Sequence, residues 1–234
     1  ADASTVQLGP AYQPTEFVSP PAVHRYPLDG HYRDVAGGAD GTATGTPGET
    51  VGVGGMQATT FDGVDDHVAG SVTVNTGTAH SVSAWIRPDT LPASGAEQYW
   101  NLTVTGANRN TVGLQLDQTG AIRYYDLSNQ TTGYQYVATN TPLPAGEYAH
   151  VLVVRNAANV TIYINGQQAG SGTLTTPTGF SSDTLYIGVG ESSDGSLNEW
   201  ADGAVCDLRV FNRALDAAEV QTLTERGGGR VYPK

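Results

Sequence analysis

The sequence predicts an all-β sandwich closed by one short C-terminal helix. Its 30 glycines and 12 prolines in 234 residues suit short strands joined by turns. Asn165-Gly166 lies between two apolar alternations, the pattern of a two-residue hairpin turn. Residues 203–215 read as an alternating strand that runs straight into a helix start.

Each element follows from local chemistry. Gln118-Thr119-Gly120 predicts a further hairpin between Leu114-Gln115-Leu116 and Ile122-Arg123-Tyr124. In the terminal strand, period-two alternation puts Val205, Asp207, Arg209 and Phe211 on one face and Ala204, Cys206, Leu208 and Val210 on the other. Asp216 then caps a helix, and Glu219 can reach back to the cap's own amide. Val220 and Leu223 form the apolar side of that helix, and Gly227 ends it. No Ser/Gly linker divides the middle of the chain. The reading is one domain over residues 22–226, preceded by an extended arm over 1–21 with Pro10, Pro14, Pro20 and Pro21, and followed by a Gly-rich tail over 227–234.

Five further segments occur in an order that carries a resemblance. They are His24-Arg25-Tyr26-Pro27-Leu28-Asp29-Gly30, Thr60-Phe61-Asp62-Gly63-Val64-Asp65-Asp66-His67-Val68, Ser81-Val82-Ser83-Ala84-Trp85-Ile86-Arg87-Pro88, and the hairpin pair Glu147–Arg155 and Val160–Gly166. With the closing strand and helix, they resemble the laminin G-like, or concanavalin A-like, jelly-roll domain over about residues 22 to 225. Departures fall at Cys206 and Asn165, where the family usually has Asp, and at Tyr148, where Trp is common. The resemblance implies a jelly-roll sandwich of two antiparallel sheets.

Charge and composition narrow the function classes. Acidic residues number 23 against 11 basic ones, the net charge is −12, and Lys234 is the single lysine. Such a chain keeps a hydrated, repulsive surface where salt screens ordinary charges, so we read a high-salt environment. No Lys/Arg cluster is present to neutralise phosphates, which excludes a nucleic-acid partner. No segment approaches the ~20 apolar residues of a membrane span, and no charged-then-apolar leader opens the sequence. Ala1 fits either signal-peptide cleavage or loss of an initiator Met. The lone Cys206 excludes an internal disulfide and reads as a small buried apolar residue.

Catalytic patterns are absent. Related jelly rolls include glycoside hydrolases marked by Glu-x-Asp-x-x-Glu on one strand, a spacing this sequence lacks. Glu199 and Asp202, three apart, are expected on opposite sides as loop surface. His24, His31, His67, His80 and His150 are dispersed, and no Gly-x-Ser-x-Gly elbow occurs. The reading is therefore not an enzyme.

The resemblance implies a structural calcium ion, with Asp207 as first ligand beside backbone carbonyls of the N-terminal strand. Asp62, Asp65 and Asp66 offer further carboxylates, or else act as turn residues bonding local amides. For ligand binding, Tyr134 and Tyr136 share one face of a predicted strand, with Tyr124 and Tyr125 on the strand before and Asp126 and Asn129 at its end. Trp85, Tyr163 and Tyr186 are expected in the core, and Trp100 and Trp200 near loops. Tyr125, Tyr134, Tyr136 and Trp200 form the candidate patch for stacking on sugar faces. Asn101, Asn129 and Asn159 head glycosylation sequons.

The functional expectation is a non-catalytic recognition or adhesion protein, displayed on a virion or cell surface in high salt and binding surface glycans or glycoproteins. The alternative is a purely structural virion component such as a decoration, turret or tail protein. A glycoside hydrolase ranks last. The terminal arms are expected to reach other copies of the chain or neighbouring structural subunits.

Overall fold

A computed structural model describes residues 19–77, 79–104, 111–128, 134–174, 179–192 and 194–227. The expected N-terminal arm lies outside these residues except for its last few, and the C-terminal tail lies outside them beyond Gly227. Along the chain run β1 (His24–Tyr26), β2 (Gly41–Thr44), β3 (Gly48–Val51), β4 (Gln57–Asp62), β5 (His67–Gly70), β6 (Val74–Asn75) and β7 (Ala79–Pro88). Then come β8 (Ala96–Thr103), β9 (Thr111–Asp117), β10 (Ile122–Asp126), β11 (Gln135–Ala138), β12 (Ala149–Asn156), β13 (Asn159–Ile164) and β14 (Gln167–Thr173). The last stretch holds β15 (Ser181–Ser182), β16 (Thr184–Ile187), β17 (Gly190–Glu191), β18 (Leu197–Asn198), β19 (Asp202–Phe211) and one helix, α1 (Ala217–Gly227).

Two antiparallel sheets make the predicted sandwich. The first runs β14-β13-β12-β7-β19-β4-β3 with β1 paired to β19, and the second runs β11-β10-β9-β8-β16-β5-β2. Alternation sends Val82, Ile86, Val153 and Val210 of the first sheet inward against Trp100, Leu102, Leu114 and Leu185 of the second. Trp100 and Tyr124, read as a loop residue and a member of the aromatic surface, are both core residues here. Asn165 at φ 50° and Gly166 at φ 77° form the tight turn joining β13 and β14, as Asn-Gly predicts. Gly120 at φ 82° closes the β9–β10 hairpin, where the Asp117 carboxylate accepts the Thr119 and Ala121 amides.

The outer faces of the two sheets differ, and this difference positions the site. On the first sheet, Val220 and Leu223 of α1 pack against Leu152 and Phe211, so the helix covers that face. The helix starts with the predicted reciprocal cap: the Glu219 amide donates to Asp216 Oδ1 at 2.9 Å, and the Asp216 amide donates to Glu219 Oε2 at 3.0 Å. Farther along the same face, Trp85 and Cys206 pack with Ala58. Cys206 is fully buried, and burial pushes its thiol up to about 11, so it is the inert apolar residue expected. The second sheet's outer face instead carries Gln98, Asn101, Gln115 and Tyr125.

One expectation fails inside β19. Val205 joins Leu208 and Val210 in the central core, whereas Ala204 and Cys206 face outward and Phe211 meets the helix. The phase slips because the register to β7 shifts between Cys206 and Arg209, around Asp207 at φ 50°. This bulge inserts one extra residue, and every later side chain changes face.

Candidate functional site

A cleft of about 260 Å³ opens on the outer face of the second sheet. Strands β8, β9 and β10 supply its floor through Gln98, Gln115 and Tyr125, and the β17–β18 segment supplies a wall through Glu191, Asn198 and the adjoining Glu199. Tyr134 completes the opposite side.

The floor is built around a glycine. Gly113 pairs with Tyr125 on one side and Asn101 on the other, and a Cβ at Gly113 would sit 2.7 Å from the Tyr125 ring. The missing side chain lets that ring lie across β9. Its hydroxyl donates to Gln98 Oε1 at 2.6 Å and accepts from the Asn101 amide. Tyr134 stacks on Tyr125 with centroids 5.8 Å apart and planes 23° apart, and Tyr136 follows at 5.5 Å. Tyr134 and Tyr136 are 44 % and 50 % exposed, whereas Tyr125 is 1 % exposed. The expected patch therefore divides: two tyrosines face solvent, and Tyr125 supports them from beneath.

Polar groups in the cleft form one directional relay. Tyr134 donates to Gln115 Oε1 at 2.7 Å, and Gln115 Nε2 donates to Glu199 Oε2 at 2.8 Å. Gln98 Nε2 donates to the same oxygen at 2.6 Å, while its own carbonyl takes the Tyr125 hydroxyl. Glu199 holds the left-handed conformation at φ 56°, and its carbonyl accepts the Gln98 amide at 2.8 Å. Glu199 is thus the organising acid of the cleft, not the loop-surface residue the spacing suggested. Glu191, buried, lines the same cleft. Asp202 turns away to accept the Thr90 hydroxyl. Sequence spacing missed Glu199 because its partners come from two strands remote in the chain.

Trp200 stands apart from the tyrosines. Its ring lies 5.5 Å from that of His67, which in turn lies 6.0 Å from Tyr186. Adjacent residues across the left-handed Glu199 point in different directions, so Trp200 does not join the stacking patch. Tyr186 and Tyr163 are partly exposed rather than fully core, and Trp85 is buried as expected. Asn101 is fully buried with its amide committed to neighbours, which removes it as a glycosylation acceptor in the fold. Asn159 is exposed, and Asn129 lies outside the described residues.

The metal set implied by the resemblance does not converge. Asp207 Oδ1 accepts Arg25 Nε at 2.8 Å, and Oδ2 accepts Arg209 Nη2 at 2.6 Å. Burial raises the Asp207 pKa, but the bonds and charges of Arg209 and Arg25 outweigh it and hold the carboxyl below its ordinary value. A cation there would have to displace two guanidinium groups, so the residues at Asp207 do not fit calcium. Asp62, Asp65 and Asp66 do converge, within 4.8 Å of one another. Asp62 Oδ1 also accepts the Val64 amide, and Asp66 Oδ1 the Thr46 amide, as turn residues do.

A two-sheet jelly roll with a polar cleft on one open sheet face is the architecture of lectin-like domains. The model of the concanavalin A-like lectin/glucanases superfamily matches residues 61–221, and the chain belongs to that superfamily. Comparison with curated proteins finds no match. Among solved structures, domain 4 of the extracellular GH43 arabinanase AbnA from Geobacillus stearothermophilus, in complex with arabinotriose, is similar with TM-score 0.70 and 20% identity, over 87% of this chain and 98% of that one. The binding domain of botulinum neurotoxin serotype C1 is similar with TM-score 0.65 and 12% identity, over 88% of this chain and 52% of that one. The binding domain of Paraclostridial Mosquitocidal Protein 1 gives TM-score 0.66 and 14% identity over 86% and 53%. The chain spans about half the length of these toxin binding domains. At such identities the likeness shows the fold.

Proposed function

We propose that this chain is a non-catalytic glycan-recognition domain that holds its ligand in the cleft on the second sheet. The observation that carries the reading is the meeting of exposed tyrosine faces with a hydrogen-bond relay that ends on a carboxylate. Sugar rings stack their apolar faces on aromatic rings and give their hydroxyl hydrogens to such acceptors. The arabinotriose complex of the AbnA domain and the binding domains of the two toxins support a binding rather than a catalytic role. We extend the proposal to display on a virion or cell surface in high salt, with surface glycans or glycoproteins as partners. The net charge of −12 supports it, as do arginines already paired to carboxylates at Arg87, Arg123 and Arg213. Contact with further copies through the terminal arms belongs to the same proposal.

The test is saturable binding of the labelled protein to arrayed glycans and to surface glycoproteins of halophilic cells. Tyr134→Ala should weaken binding about tenfold without altering the fold. A well-folded protein that binds no glycan would leave a structural assembly subunit as the better reading. Calcium enters the proposal only at the Asp62–Asp66 turn. Chelation at constant ionic strength should then lower the melting temperature, and Asp62→Asn should abolish that response. An unchanged curve would make the three carboxylates turn residues alone.

A further inference from the structure

Both formal charges on the cleft lining, Glu191 and Glu199, are negative, and no Lys, Arg or His lines it among the described residues. The relay fixes which atoms remain for a ligand. Tyr134 spends its proton on Gln115, and its oxygen is already engaged by the Arg123 guanidinium, so this hydroxyl is committed on both sides. Both carboxamides spend an N–H on Glu199 Oε2, which leaves Oε1 of that carboxylate with no donor from the described residues. Asn198 donates its amide to Ser192 Oγ at 2.7 Å, which leaves its carbonyl to accept. The cleft thus presents the Glu199 Oε1 and Asn198 carbonyl acceptors beside the second N–H of each carboxamide, and the Glu199 carboxylate gives it a negative potential.

Among the described residues, Arg123 stands at the rim of the cleft beside Tyr134. Arg123 pairs with Asp117 at 2.6 Å, and its guanidinium lies 5.1 Å from the Tyr136 ring centre. Its charge is paired to Asp117, and its contact with the cleft is with the Tyr134 hydroxyl rather than with Glu199. A hydroxyl-rich ligand can donate into these acceptors, whereas a carboxylate or sulfate would meet the like charge of Glu199 in a partly desolvated site.

We infer that the cleft selects neutral, polyhydroxylated glycan units and rejects units bearing a carboxylate or sulfate, with Glu199 as the residue that sets the choice. The inference rests on the proposed glycan-binding role and narrows its ligand class. Glu199 is suited to this because its left-handed backbone and two amide partners hold its carboxylate at one place in the cleft, so the negative charge cannot swing aside.

The experiment is an array of matched glycans that differ only in charge, such as galactan against galacturonan and lactose against sialyllactose, read at low and at high salt. The wild-type protein should bind neutral members at least about tenfold more tightly at low salt, and the gap should narrow as salt screens the repulsion. Glu199→Gln keeps the shape and removes the charge. It should raise binding to the acidic members relative to the neutral ones, with an unchanged melting curve as the check on folding. Arg123→Gln should leave the preference in place. Equal binding of both members of each pair by the wild-type protein, or a preference for the acidic ones, overturns the inference while keeping the glycan-binding role. No binding to any member overturns both.

Discussion

Gly113 has no side chain, yet it shapes the aromatic wall of the cleft. A methyl group there would press on the Tyr125 ring at 2.7 Å and on the Trp100 carbonyl at 2.8 Å. We expect Gly113→Ala to destabilise the fold by about 1–3 kcal/mol in urea unfolding and to weaken ligand binding, because Tyr134 loses the ring it stacks on. A variant with unchanged stability and affinity would remove Tyr125 as the support. At this scale the site was partly legible. Tyr134, just before β11, and Tyr136 within it stand two residues apart, and such spacing is a local property that the sequence displays. Glu199 was not, because its role depends on a left-handed backbone and on Gln98 and Gln115, carboxamides brought from strands β8 and β9. Trp200 misled for the same reason.

Among the elements, β19 teaches most about legibility. Its strand character and the capped helix beyond it follow from short-range pattern, and both stand in the structure. The phase of its second half does not follow, because an Asp in the left-handed region carries no local signature. What fixes the bulge is distant: Arg25 clasps Asp207 from β1, the Asp207 amide donates to the Pro27 carbonyl at 2.9 Å, and Arg209 reaches Ser19 at 2.6 Å. The arginines occupy the place where the resemblance implied calcium. We expect Asp207→Ala to cost about 3–5 kcal/mol, since it leaves the buried Arg209 uncompensated. Asp207→Asn should cost less, because it keeps the turn preference and an acceptor. Equal small losses for both would show that the bulge needs neither charge nor carboxylate.

For the molecule as a whole, buried ionisable groups set the pH range of stability. Burial, aided by the Arg155 charge, lowers the His80 pKa from 6.5 to about 3, and burial lowers His150 to about 4. The unfolded chain therefore takes up protons below pH 6.5 that the folded chain refuses, and stability falls as pH drops toward 3. Glu97 acts in the opposite sense. Burial, with the nearby Asp202 charge, raises it from 4.5 to about 7, so its contribution is present below pH 4.5 and is lost as pH rises through 7. Melting temperature against pH should fall steeply on the acid side, and Glu97→Gln should gain on the wild type as pH rises from 4.5 to 7. Parallel curves for the two proteins would contradict the assignment. The interior also holds an ion pair between Arg155 and Asp126 at 2.8 Å, both wholly buried. No local pattern in the sequence marked it, since both partners sit where alternation predicts apolar side chains.

The covering of one sheet by α1 has a consequence for presentation. Strand β1, where the described chain enters the sandwich, pairs with β19, and the helix by which it leaves packs on that same sheet's outer face. Both anchor points therefore lie on the side of the first sheet, and the cleft opens from the second. A body docked directly where the described chain enters β1 or leaves α1 would meet the first sheet's side and leave the cleft turned away from it, like a hand held palm outward.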